Sequence, residues 1–319
     1  MADNSSGSVS DQVRPLTFRN DSCSARPVNA FHHLLVRPFQ QPYMWRALVE
    51  LLILGVAGGS VGVHVLLRRN AFMTDALHHT VFPGIAIAFV VHQSLLLGAL
   101  ASGALSVVLL GMATRRRRLD HDAVLALLIA TSFALGVVVV SRRRTYQNDL
   151  TALLFGRLLA VDGQEIAQTA LVVAVALGAL ALLHKELVFA AFDRFGAAAL
   201  GLRTGLLDAV VNVVVMLCVV AAIRAVGTIL VIAYIVTPAA TARLACHRLL
   251  PMMVCAGVLA AFGGYAGLVV SYAASVDHGV RLAPGATVVA ILTLATVVVA
   301  TTRAVGGRAR RRIRNAPVR

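Results

Sequence analysis

Uninterrupted apolar stretches dominate this chain, and they fix its class before any motif is considered. Approximate cores lie at 47–67, 75–93, 95–113, 123–140, 165–183, 206–223, 225–243, 250–272 and 284–302. Each approaches the length, about 17–25 residues, that an α-helix needs to cross hydrocarbon. The 75–113 stretch is too long for one crossing, and the short "VHQS" inside it reads as the turn of a helical hairpin. Strands of a membrane barrel would alternate outward and inward residues with period two; runs such as "LVVAVALGALALL" do not. The expected fold is all-α, a polytopic membrane protein with eight or nine transmembrane helices. Composition agrees: 13% of residues are charged, against about 25% in soluble domains.

The formal charge is +15, nearly all of it arginine, with Lys185 the one lysine. Basic clusters suggest nucleic acid, but here they lie between apolar runs, at 68–69, 115–118, 142–144 and 303–314. That placement follows the positive-inside rule instead, so lipid is the expected surrounding and nucleic acid is not. With 115–118 in the cytoplasm, alternation puts Arg68/Arg69, the 184–205 stretch, the Arg243–Arg248 turn and the basic tail there too. The 142–144 cluster falls outside, as an exception. Nine crossings place the N-terminus outside, and eight place it inside. Cys23, Cys218, Cys246 and Cys255 have no CxxC spacing, so neither a disulfide framework nor a zinc knuckle is expected. Three units follow: a polar, disordered tail over 1–43, a membrane domain over 44–303, and a basic cytoplasmic tail over 304–319.

Several local patterns stand out. Gly55, Gly58, Gly59 and Gly62 make two overlapping GxxxG spacings in the first run, which let helix backbones approach closely in lipid. The same stretch, "GGSVG", matches a nucleophile elbow around Ser60. That motif needs a strand before it, and a mid-helix position argues for packing. The segment at 184–208 is the most polar internal one; Phe189, Phe192 and Phe195 fall three apart, next to Asp193 and Arg194. It is expected to be a short helix with one aromatic face that docks on another protein. The apolar but broken stretch 149–165 is expected to be an interfacial or re-entrant helix on the outer side.

"MTDALHHTVFPG", Met73 to Gly84, carries the chemistry. Asp75 and His79, four apart, share one helix face at about 6 Å, and His78 is the alternative partner. Ionisable groups in a span are costly and mark function by default. Carboxylate plus neutral imidazole suits zinc, manganese or ferrous iron. The competing assignment is helix capping by Thr74 or Asp75. Pro83 removes the hydrogen bond to the His79 carbonyl, and Gly84 admits another backbone. Two side chains leave the shell incomplete, which suits a pathway, since an ion held too well does not leave. Gly227 and Pro238 are candidate points of helix movement.

"RRNAFMTDALHHTVFPGIAIAF" resembles the signature of the bacterial ABC-transporter permeases for zinc, manganese and iron. "DLTALLFGRLLAVDGQEI", "FDRFGAAALGL" and "AVGTILVIAYIVTPAATARL" are similar to the same family, in order, so the resemblance spans about 36–303. It implies the ABC importer permease fold, in the bacterial inner membrane. The implied partners are a second permease subunit (homodimer or sister chain), two cytoplasmic ABC ATPase subunits and an extracytoplasmic metal-binding protein. No cofactor is bound permanently; the metal is cargo. By position, Asp75 and His79 match the family's metal site, and Phe192 to Gly201 match its ATPase-contacting segment. His78, Thr74 and Thr80-Val81-Phe82 depart from the family pattern around that site.

No G-x-x-x-x-G-K-[ST] is present, so this chain cradles no nucleotide phosphates. It is expected to be a transport subunit, not an enzyme. A permease for a metal chelate is the alternative, followed by an ion-coupled secondary carrier, which would show internal repeats. An intramembrane hydrolase would need an H-E-x-x-H that "HHTVF" does not supply.

Overall fold

The computed structural model describes residues 37–68, 70–115, 121–141, 157–246, 248–277 and 282–314. Every regular element among them is helical. Nine long helices correspond to the nine apolar runs: α1 (Pro42–Leu67), α2 (Ala71–Val90), α3 (Leu95–Arg115), α4 (His121–Ser141), α5 (Gly163–Leu182), α8 (Thr204–Val226), α9 (Thr228–Ala245), α10 (Leu249–Asp277) and α11 (Pro284–Arg314). Two short helices, α6 (His184–Phe192) and α7 (Arg194–Ala199), fill the polar interruption. Seven of the long helices are apolar and long enough by themselves to cross a membrane. The other two are α9, whose apolar part is short, and α2, where histidines, an aspartate and threonines dilute the run.

Small residues at the first run place α1 in the middle of the bundle. Gly58 and Gly62 face α9, where an added Cβ would meet the carbonyls of Tyr234 and Ile235; Gly55 and Gly59 face Ala260 and Gly257 of α10. The two overlapping spacings thus serve two different neighbours. Tyr234 bolts the three helices together: its hydroxyl donates to the carbonyls of Leu51 and Ala260, at 2.9 and 2.8 Å. Pro238 lies inside α9 without ending it. The carbonyl four residues earlier, on Tyr234, loses its helical donor and is the one that faces Gly58.

A second group, α2, α3 and α4, stands beside this core, and α8 packs against both. The turn between α2 and α3 is as short as "VHQS" suggested, with His92 at φ 56°. At the far end of α8, Gly227 is the one residue before α9, at φ 78° and ψ 170°. α8 begins and α9 ends at the same end of the bundle, so the chain reverses at this residue.

Arginines gather at that end. Arg243 donates to the Leu66 carbonyl at the end of α1 (3.3 Å), Arg303 to Ala245 at the end of α9 (2.9 Å), and Arg68 to Leu187 of α6 (3.3 Å). Leu66 and Ala245 lie in the last turns of their helices, and helix C-terminal carbonyls lack internal donors and attract cations. The turns expected on the basic side therefore share one end. The 115–118 and 142–144 clusters fall largely or wholly outside the described residues.

Three local details differ from expectation. The aromatic triplet does not lie on one helix, because Asp193 breaks it: its side chain accepts from the Gly196 amide at 2.8 Å and caps α7. Of the 149–165 stretch, the described part is a 3-10 turn, Leu158–Ala160, followed by Asp162, which caps α5 in a reciprocal box with Glu165; residues 149–156 lie outside the described residues. At the two ends, a 3-10 helix over Arg37–Gln40 precedes α1, with Phe39 stacked on Tyr265 at 5.1 Å, and α11 continues to Arg314.

Candidate metal site

Asp75 is the fifth residue of α2, whose N-cap is Asn70, with no capping bond from a side chain. The capping assignment for Thr74 and Asp75 therefore does not describe this helix. The periodicity of 3.6 brings Asp75 and His79 together: His79 Nε2 stands 3.5 Å from Asp75 Oδ1, and both side chains are about a third exposed, at 35% and 33%. The pair is open to the surface of this chain, not sealed in its core.

Aromatic rings hold the imidazole. His79 meets Phe133 of α4 edge-on at 6.3 Å, and Phe82 stacks on Phe133 at 6.1 Å, over Gly136. The His78 ring meets His79 in a T-shape at 4.9 Å but is itself only 5% exposed, with Nδ1 buried and unbonded. Thr74 is also buried, and its hydroxyl has no partner. The structure thus brings His79, not His78, to the carboxylate. Among the described residues, no three His, Cys, Asp or Glu side chains converge as a metal shell would require. The described residues bring together two candidate ligands, Asp75 and His79.

Pro83 and Gly84 lie just beyond the pair. α2 runs through Pro83, with the His79 carbonyl released from its helical bond. Gly84 lies directly against Gly98 and Ser102 of α3. Ser102 Oγ donates to the Thr80 carbonyl at 2.5 Å, and Thr80 Oγ1 donates to Leu77 at 2.9 Å. α2 is therefore fixed to α3 next to the Asp75–His79 pair. An apolar cavity of about 630 Å³ opens on the same side, between α2, α3 and α4, and includes Pro83 and Gly84 in its wall.

The segment at 184–208 forms the second candidate region. Phe192 and Phe195 are 76% and 89% exposed, with Phe189 and Leu200 also open. Gly201 sits at φ 80°, a conformation available at little cost only to glycine. Sequence reasoning missed what ties this segment down. Asp208 receives Arg68 Nη1 at 2.5 Å on one oxygen and Arg194 Nη2 at 2.7 Å on the other. Burial makes Arg68 easier to deprotonate than an ordinary guanidinium, and the adjacent Asp208 opposes this. The available signal was a lone carboxylate at the start of an apolar run, in a chain poor in acids.

Matches to known proteins span both regions. A profile of the ABC 3 transport family matches residues 40–303. The manganese transport system membrane protein MntC of Listeria monocytogenes is 30% identical over 78% of this chain and 89% of its own length. The chelated iron transport system membrane protein YfeC of Yersinia pestis is 32% identical over 73% of this chain and 80% of its own. Among solved structures, PsaBC from Streptococcus pneumoniae, in complex with a Fab, aligns with a TM-score of 0.73 and 26% identity, over 83% of this chain and 94% of that one.

Proposed function

Because the chain belongs to the ABC 3 transport family, a multi-pass membrane permease, we propose that it conducts a divalent transition-metal ion through Asp75 and His79. One observation carries this reading: a carboxylate and an imidazole 3.5 Å apart, a turn apart on α2, a third exposed and not used to cap the helix. Manganese, zinc or ferrous iron fits this oxygen and nitrogen pair, and relatives named for manganese and iron transport support it.

An ionisable pair facing lipid would be expensive. A second permease subunit, another copy or a sister chain, covers that face and lines a wet pathway with it. Water or the second subunit completes the shell, leaving a site weak enough to pass the ion on. An extracytoplasmic binding protein delivers the metal. Two cytoplasmic ATPases supply the energy and seat on the 184–208 segment, where Phe192, Phe195 and the turn at Gly201 present an apolar patch of the kind partners cover. Asp193 shapes that patch by starting α7, and Phe189 borders it.

The test is uptake of manganese(II), zinc(II) and iron(II), free and chelated, by cells carrying the chain with its partners. Asp75→Ala and His79→Ala should insert and assemble yet lose uptake of one free ion. Full uptake by both variants removes the assignment. Loss in His78→Ala alone moves the site by one residue, and uptake of chelates only assigns a bulkier cargo.

A further inference from the structure

We infer that Arg68, Asp208 and Arg194 form the ionic linkage that passes movement of the 184–208 segment to α2, which makes Asp208 a positioning residue for transport. This rests on the reading that the segment meets the ATPase.

The three side chains come from three separate pieces of the chain. Arg68 follows the last turn of α1, Asp208 lies in α8, and Arg194 opens α7. The single carboxylate is divided between them, Oδ1 to Arg68 and Oδ2 to Arg194. Arg68 also donates to the Leu187 carbonyl of α6, so it holds both the segment and the root of α8. Bonds to ionised groups are shorter and stronger than neutral ones, and two of these three are below 2.8 Å.

From Arg68 the path to the metal site is short. The Asn70 amide donates to the Val65 carbonyl at 3.0 Å, and the Met73 amide to Asn70 at 3.1 Å. Asn70 is therefore bonded both to the last turn of α1 and to the first turn of α2, and Asp75 follows two residues after Met73. A helix moves as a rod over this distance.

Direct packing between the segment and the start of α2 is interrupted, although both pack on α8. A polar cavity of about 470 Å³ lies between the segment and the start of α2, with Ala190 and Ala191 on one side and Asn70 and Met73 on the other. Apolar groups that do not touch transmit no push. The ionic chain runs along the wall of this gap. Its two ends are unequal: the Arg68 side chain is 8% exposed and that of Arg194 66%. Exposed pairs are weak and exchange easily, while buried ones hold. The joint is thus firm toward the core and yielding toward the segment.

The complete transporter, this chain with its ATPase and binding protein in vesicles, provides the test, read as manganese(II) moved per ATP hydrolysed. Arg194→Ala should lower the ratio about fivefold, the upper reach of an exposed ion pair, while Arg194→Lys stays within about twofold. Asp208→Asn should lower it further. Arg194 is exposed, so its variants report even if Asp208→Asn fails to fold. An unchanged ratio in Arg194→Ala, equal losses in its alanine and lysine variants, or a loss explained by release of the ATPase would each overturn the linkage. Asp75→Ala in the same vesicles keeps the two readings apart: normal transport there sinks the metal-site assignment whatever Arg194 does.

Discussion

Replacing Gly84 by alanine should loosen the hairpin that carries the proposed metal site. An added Cβ would fall against the Gly98 carbonyl oxygen and the Ser102 side chain, and 3.0 Å from the Gly98 carbonyl carbon. Carbon atoms pack comfortably at about 3.5–4.0 Å, so α2 and α3 must part by about 0.5–1 Å at this height. The Ser102–Thr80 bond, now 2.5 Å, would stretch by a similar amount, to the edge of a useful hydrogen bond. Overpacking of this kind costs about 1–3 kcal/mol, and an interhelical bond in a membrane protein adds about 0.6 kcal/mol. The sum, about 2–4 kcal/mol, should lower the thermal midpoint of the purified protein by several degrees. Metal uptake should fall with it, because His79 lies one turn and a residue above the strained contact. Gly111 supplies the control. It is on the same α3, and a Cβ there meets nothing within 4 Å, so Gly111→Ala should gain the helix preference of alanine, about 0.5–1 kcal/mol. Equal midpoints for the two variants would refute the claim that the Gly84–Gly98 contact positions α2.

Two further outcomes are expected. Tyr234→Phe removes the hydroxyl shared between Leu51 and Ala260; the carbonyls keep their helical partners, so the loss should be about 0.6–1.7 kcal/mol, measured as a small drop in midpoint with uptake retained. Asp162→Ala deletes the box that starts α5 and should cost about 1 kcal/mol, visible as faster amide hydrogen exchange in the first turn of α5 and unchanged exchange in α1.

Spans were legible because length and hydropathy answer directly to the bilayer. The run read at 95–113 became Leu95–Arg115, and that at 284–302 became Pro284–Arg314. Boundaries differ by a few residues at either end, and most of all where α11 runs on to Arg314, since hydropathy marks where oil stops and hydrogen bonding marks where a helix stops. The Asp75–His79 pairing was equally legible, being a matter of periodicity. Adjacent His78 points about 100° away around the same helix, and whether that direction is buried depends on neighbouring helices that no local pattern names. The aromatic triplet misled for a local reason: Asp193 found the Gly196 amide and began a new helix. The Arg68–Asp208 bond joins positions 140 residues apart, and only the assembled bundle brings them within reach.

The reversal at Gly227 carries a consequence for how such a chain can change over generations. With one residue between two helices, there is no slack to absorb an insertion. A single added residue inside α9 would turn everything beyond it by about 100°. Tyr234 would swing away from the α1 and α10 backbones it ties, and the carbonyl freed by Pro238 would lose its berth against Gly58. Lengthening should be tolerated at the tails and refused here, so this corner sets the phase of the whole central packing.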